Sequence, residues 1–593
     1  MHGSDDPPPE RLAVRADPLS LILEAGDVRH VHVGGREVVR RIYGAVRDHL
    51  WRTIPARLTG FTLERGAETF TCRYRAAHRG HDAAFSWDAT IEGGADGALT
   101  FAFDGVADAT FGRNRIGLCL LHPLPALSGA RVRVTTSSGE TRALRFPDLV
   151  TLEQPIDGFD DIATLACEIG PDLWIEAALE GDVFQAEDQR NWIDASTKIY
   201  STPVGLPKPV LVPAGTRIHQ RVTLRVLGTP PPAPGGAPFV IDRASGELRF
   251  GEGVRGHLPQ IGLPLAFTDN SIRPAYVRTD LYFDADGRFP MPARPDETGE
   301  LPTELGLHLP DDPTAAAQAL RVALTLPMAR ILAFTRGCDV TTAATLEVVR
   351  AWRATQRDYV GVPIATGTAG DLARIHVAGS LPLADAICWA MDPQAHATDL
   401  TSIAETPAGA RDQAITMAKR YPGRPAAITA TFGRHGRPDS RARSLFAAAW
   451  TLALLGALGE GGAASVTLAD AGDDGTPLGA LGAVPLAHLL AALSISPGAP
   501  IRPVASTLET VYACELEAGA GRTLLVANLA PRPCEVTLPG DGHPWTTWLL
   551  DADTPFASQA APLGLIDPAL ATIASRRFAL GPCAIARLEA PRR

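Results

Sequence analysis

The chain has 593 residues, too many for one ordinary core; at about 150 residues per domain it should divide into three or four. Apolar residues make up 45% and charged residues 20%, a globular composition that excludes a mainly disordered, collagenous or coiled-coil chain. The net charge of −11 comes with no basic run, which argues against nucleic acid and anionic membrane as partners.

The opening residues MHGSDDPPPE are acidic and Pro-rich and lack the basic start and apolar stretch of a secretory signal. Residues 1–11 are expected to form a disordered tail. The eight cysteines stand singly, with no CxxC pair, which fits a reducing cytoplasm and offers no zinc site. No metal and no cofactor is expected.

From 12 to 227 short alternating runs lie between turn signals, as in FTCRYRA from Phe70 and ALTFAFDGVA from Ala98. Alternation with period two marks antiparallel strands with one buried face, so an N-terminal β-sandwich-like domain is expected, interrupted by one helix from Val38 to Trp51. His30 and His32 would share one strand face as metal ligands sometimes do. No third ligand is near them in sequence, and a polar surface strand is the expectation.

Near the end of this domain, EDQRNWIDASTKIY gathers Glu187, Asp188, Arg190, Asn191, Asp194 and Lys198 around Trp192. Donors and acceptors beside an aromatic face suit a polyhydroxylated ligand. The segment reads equally as a salt-bridged strand and turn locking the first domain to the next.

Residues 228–238, GTPPPAPGGAP, form a Pro/Gly linker with nothing to place in a core. Over 239–500 short apolar strands alternate with Ala-rich helical stretches. Eight strand candidates begin near Leu258, Ala275, Thr303, Arg330, Gly361, Asp385, Pro425 and Ala464, which predicts a (β/α)8 TIM-like barrel. Asp339 is the expected cap of one helix, and Thr406 with Pro407 the cap and first-turn proline of another. No helix is predicted over 268–274 or 284–302, leaving the barrel incomplete there. The apolar stretch Leu445 to Gly459 falls short of the roughly 20 residues that span a bilayer and reads as a buried helix. Residues 501–593 return to strands and predict a small C-terminal β-sandwich.

In such a barrel, functional groups collect at the carboxyl ends of the strands. Those ends hold Arg278, Asp280 and Asp284; Thr366; Asp392, His396 and Asp399; Arg434 and His435; and Asp470. His396, set among carboxylates, can shuttle a proton or be a loop histidine bonded to backbone. Asp280 and Asp470 read as a carboxylate pair across the mouth or as separate ion pairs with Arg278 and Arg434. Glu304 begins its strand and so falls at the stability end.

Three blocks, GDVFQAEDQRNWIDASTKIYSTP from Gly181, NRIGLCLLHP from Asn114 and MDPQAHATDLTSIAET from Met391, resemble the D-apionate lactonases, bacterial enzymes that open D-apionolactone to D-apionate. The order of regions agrees, so the resemblance covers most of the chain and implies a cytoplasmic hydrolase acting on a small carbohydrate lactone. Opening a lactone needs a base for the attacking water and donors for the oxyanion. His396 or Asp280 is the expected base, and Arg190, Arg278 or Lys198 the oxyanion partner. Glu187, Asp188, Asn191, Trp192, Lys198, Arg278 and Asp470 are expected to bind substrate. The chain lacks a GxSxG elbow, which argues against a serine-hydrolase route. The rival enzyme reading is a glycoside hydrolase with two carboxyl groups about 5 to 9 Å apart; a third is a non-catalytic sugar-acid binding protein.

Overall fold

The computed structural model describes the chain apart from residues 1, 5, 152, 231–243, 266–271, 284–300, 322–326, 434–438, 470–484, 494–497, 519–520, 539–544, 555–570, 574–575 and 592–593. It forms two compact units. One is Pro8–Gln189 with Ala195–Asp242; the other is Arg243–Arg593 with Met1–Pro7 and Arg190–Asp194.

The first unit is an antiparallel β-sandwich. One sheet runs in the order Arg11–Ala16, Leu19–Glu24, Asp27–Val33, Arg36–Asp48, Phe111–Pro123, Ser196–Tyr200, Gln185–Asp188. The other has nine strands, with Arg217–Leu227 and Leu99–Ala107 at its centre. A single apolar cluster draws Leu21, Val31 and Leu118 from the first sheet and Phe85, Phe103 and Ile175 from the second. The alternation read in sequence is therefore the inward-facing row of each sheet.

The helix expected from Val38 to Trp51 is instead the strand Arg36–Asp48. Buried Val38, Val39, Ile42 and Val46 repeat at a helix-like spacing, which misled the periodicity. Pairing with Phe111–Pro123, from Arg41↔Leu121 to Arg47↔Arg115, decides the structure: tertiary context overrides a local pattern. The expected polar surface strand at His30 and His32 is also corrected. His30 has φ +49° at an irregularity of register, its Nδ1 lies 2.9 Å from Glu37, and the Nδ1 of His32 lies 2.7 Å from the His30 carbonyl. Both rings are buried.

In the second unit the eight expected strands close a parallel barrel: Gln260–Pro264, Tyr276–Tyr282, Thr303–Leu309, Met328–Thr335, Ile364–Gly367, Ala386–Met391, Ala426–Ala430 and Ser465–Leu468. Two caps differ from expectation. Thr342, not Asp339, accepts from the Thr345 amide and starts Ala343–Thr355, while Asp339 pairs with Arg374 at 2.9 Å. Asp399 caps Leu400–Arg420 and Pro407 lies inside it. Proline cannot donate to the carbonyl four residues back; that carbonyl, on Ile403, accepts from the Thr406 hydroxyl at 2.8 Å, so the helix continues. The connections expected to lack helices, 268–274 and 284–302, lie mostly outside the described residues.

Leu445–Glu460 is buried over almost its whole length, and among the described residues no helix is long and apolar enough to cross a membrane. The C-terminal strands form a sheet around Leu524, Val526 and Leu588. That sheet also takes in Ser245–Phe250, which precedes the barrel in sequence and pairs with Pro500–Ser506.

Candidate active site

Parallel register stacks the inward residues of the second and third barrel strands side by side: Arg278↔Glu304, Asp280↔Gly306 and Tyr282↔His308. Arg278 donates to Asp280 through Nε and Nη2, each at 2.8 Å, and to Glu304 through Nη1 at 2.9 Å. Glu304 also accepts from the Thr467 hydroxyl at 2.7 Å and ion-pairs with Arg330 at 3.1 Å. At the carboxyl end, His308 Nε2 lies 2.8 Å from Asp280, and the exposed ring of Tyr282 stacks on the imidazole at 4.0 Å between centroids. Leu332, Phe334, Ala365, Ala386, Cys388 and Ala427 of the barrel strands form one apolar cluster.

Asp280 keeps 28% of its side chain exposed. Burial raises its pKa, but the Arg278 guanidinium and the His308 hydrogen bond outweigh this and hold the carboxyl well below the usual range. It is therefore a fixed anion rather than a proton acceptor near neutrality. Gly306 makes the arrangement possible: a Cβ there would fall 2.0 Å from Asp280 Oδ1 and 2.9 Å from Arg278 Nη2. Glu304 is buried in this network, at the start of its strand as expected. His308 was not singled out from sequence; the signal was there, since Glu304, Gly306 and His308 are every second residue of TELGLHL, the period that lines a barrel.

A second cluster forms around the segment Arg190–Asp194, which belongs to the barrel unit. Arg190 is fully buried and donates to Asp412 on helix Leu400–Arg420 at 2.9 Å. Gln413 on the same helix donates to the Arg190 carbonyl at 2.6 Å. Asn191 Oδ1 lies 2.5 Å from His376 Nδ1. Gly409 leaves room for this backbone, because a Cβ there would meet the Ile193 carbonyl at 2.0 Å. Held in this way, Asp194 reaches His396 Nδ1 at 2.6 Å, and Trp192 meets the same imidazole edge-on at 5.0 Å. His396 follows the barrel strand Ala386–Met391, at the end where functional groups collect. A carboxylate on Nδ1 fixes the tautomer with the lone pair on Nε2.

Glu187 and Lys198 lie in the sandwich unit, paired at 3.1 Å and buried, and Asp188 accepts from the Thr151 amide at 3.1 Å. The other strand-end candidates do local work. Thr366 donates to the Pro382 carbonyl, Asp392 accepts from the Gln394 amide and Asp399 caps its helix. Asp284, Arg434, His435 and Asp470 lie outside the described residues. Among the described residues no three His, Cys, Asp or Glu side chains gather as a metal ion would need.

Comparison with known proteins agrees with the family to which the sequence blocks point. A family model described as "D-apionate lactonase, N-terminal domain" matches residues 1–229, and one described as "D-apionate lactonase, C-terminal immunoglobulin-like domain" matches residues 509–588. A D-apionate lactonase of Brucella anthropi is 34% identical over 232 residues, which is 39% of this chain and 37% of that protein. Solved structures are far more distant. A glycoside hydrolase family 30 subfamily 8 xylanase from Clostridium acetobutylicum shares 10% identity at a TM-score of 0.37, over 58% of this chain and 100% of the xylanase. A beta-arabinopyranosidase shares 11% at 0.27, over 97% of this chain and 100% of the other. No functional argument passes from either. With both terminal domains matched, and with the sandwich, barrel and C-terminal sheet in the expected order, the chain belongs to the D-apionate lactonase family.

Proposed function

We propose that this chain hydrolyses the ester of a sugar-acid lactone, D-apionolactone, to the open acid. Its family supports this, and so does one geometric observation: two of the sequence blocks that carry the family resemblance, far apart in the chain, meet at the 2.6 Å contact between Asp194 and His396.

In this reading His396 Nε2 takes a proton from water as the water oxygen bonds to the lactone carbonyl carbon. The resulting tetrahedral oxyanion collapses, the ring C–O bond breaks, and the imidazolium returns its proton to the departing alkoxide. Asp194 acts through His396, holding its tautomer and stabilising the imidazolium. Arg190, fixed to Asp412, is a positioning residue for the segment that carries Asp194. Trp192 offers an apolar edge to the C–H surface of a sugar ring. Asp280, an anion fixed by Arg278, accepts hydrogen bonds from substrate hydroxyls instead of serving as the base. A glycosidase would need a carboxyl held protonated as general acid, and the depressed pKa of Asp280 is the opposite of that.

The test is proton release from D-apionolactone by the purified chain. Turnover by the wild type and its collapse in His396→Ala are expected. Wild-type protein that leaves the lactone intact would remove the activity, and an unimpaired His396→Ala enzyme would remove the mechanism.

A further inference from the structure

The sandwich sheet that buries Leu118 and Leu120 on its inner side carries different chemistry on the opposite face. Strand register aligns Arg41↔Leu121, Tyr43↔Cys119 and Arg47↔Arg115, then Cys119↔Tyr200 and Leu121↔Lys198, then Lys198↔Glu187 and Tyr200↔Gln185. A face turned away from a sandwich core ordinarily meets water. Here Lys198 is 1% exposed, Tyr200 0% and Arg115 3%.

The charges on this face do not balance. Arg41 is neutralised by Asp27 at 2.6 Å and Lys198 by Glu187 at 3.1 Å. That leaves Arg47, Arg115 and Lys208, none of which pairs with a carboxylate among the described residues. The Arg115 guanidinium lies over the Tyr200 ring at 4.0 Å and 5.7 Å from the Trp51 ring, and its Nε, though buried, has no hydrogen-bond partner among the described residues. Lys208 Nζ lies over the same Trp51 ring, 5.6 Å from its centroid. Burial lowers the Lys198 ammonium below its usual pKa, Glu187 opposes the shift, and Arg115 and Arg47 add to it. Burial likewise lowers Lys208, with Arg115 contributing. A buried cation without counter-charge, as Arg115 is, is costly, and a guanidinium and an ammonium beside one indole ring match a carboxylate.

We propose that this face is a binding site for a small polyhydroxylated carboxylate, a sugar acid, distinct from the cluster at His396. Arg115 and Lys208 hold the carboxylate, the half-buried Tyr43 meets a hydroxyl group, and Trp51, 38% exposed, covers a C–H face. Such a site separates acid from lactone by charge, because the closed ring carries none. It therefore takes the kind of compound that ring opening releases, and it does so whether or not His396 is the base.

Titration calorimetry on the full chain at constant ionic strength tests this with sodium D-gluconate, sorbitol and inorganic phosphate as probes. Gluconate is expected to bind and sorbitol to give no heat. Gluconate affinity should fall at least tenfold in Arg115→Met and about threefold in Lys208→Met. The second variant guards against a folding defect in the first, since among the described residues the Lys208 ammonium is hydrogen-bonded only to the Val204 carbonyl. His396→Ala is expected to bind gluconate like the wild type. Absent gluconate heat, affinity unchanged in both cation variants, or binding lost in His396→Ala would each overturn the proposal. Phosphate binding as tight as gluconate would overturn the sugar acid as its occupant.

Discussion

His396 and Asp194 stand 202 positions apart, and their side chains meet at 2.6 Å with the carboxylate on Nδ1. If that contact sets the tautomer, the two residues are unequal in effect. His396→Ala removes the base, and a loss of about 100-fold to 10,000-fold in kcat is expected. Asp194→Asn keeps the shape but no longer favours the lone pair on Nε2 or the charged imidazolium. Its kcat should fall by a smaller factor with KM little changed, and the acid limb of the pH profile should move to lower pH, because the imidazolium has lost its neighbouring anion. Proton-release kinetics on D-apionolactone between pH 5 and 9 reads both; equal kcat values in the wild type and Asp194→Asn would detach the carboxylate from the chemistry.

The pin beneath that dyad is Arg190 on Asp412, 2.9 Å apart, with the arginine fully buried. Removing one partner of a buried pair strands the other charge and costs about 3–5 kcal/mol. Arg190→Met is expected to lower the unfolding free energy by that order, and adding Asp412→Leu should recover much of it, because both charges are then gone. Urea unfolding of the two single variants and the double variant measures the coupling. Additive losses would mean that the pair is not a unit.

The barrel was legible from sequence because each of its strands is a short apolar run set off by turn residues, and all eight lie where those runs fall. The contacts that build the site were not. Nothing in Glu187 to Tyr200 says that Arg190–Asp194 joins the barrel unit while its flanks stay in the sandwich, since that depends on Gly409 and Asp412 far along the chain. His308 was hidden for a similar reason: its partner, Asp280, stands on the neighbouring strand, and only register brings them together. The strand Arg36–Asp48 shows the converse, a helix-like spacing defeated by pairing that no local window contains.

Gly306 gives a steric test of the barrel network. A methyl group there would collide with Asp280 Oδ1 at 2.0 Å and crowd Arg278 Nη2 at 2.9 Å. Neither partner can move without breaking the bidentate pair. Gly306→Ala should cost about 1–3 kcal/mol as an overpacked core does, and KM for the lactone should rise as Asp280 shifts. Gly361→Ala is the control, with nothing within 4 Å of the added atom. Matching stability and KM in the two variants would mean that the Asp280–Arg278 geometry is soft.

The sandwich unit should carry a pH dependence of its own through His122. Its ring is 1% exposed beside Phe146, at 5.2 Å between centroids, and its Nδ1 has no hydrogen-bond partner among the described residues. Burial pushes the imidazole from its ordinary 6.5 to about 3. Between those values the unfolded chain binds the proton and the folded chain does not, so stability falls as pH drops below about 6.5, by about 1.4 kcal/mol per unit, until the folded ring also protonates. Above 6.5 the ring is neutral in both states and contributes no slope. His122→Phe keeps an aromatic ring against Phe146 and cannot titrate. From pH 7.5 to 5.0 the wild type should therefore lose about 2 kcal/mol more than this variant. Denaturant unfolding of both proteins at the two pH values gives the difference directly, with every other titrating group common to the pair. Equal losses would mean that His122 takes up its proton in the folded state.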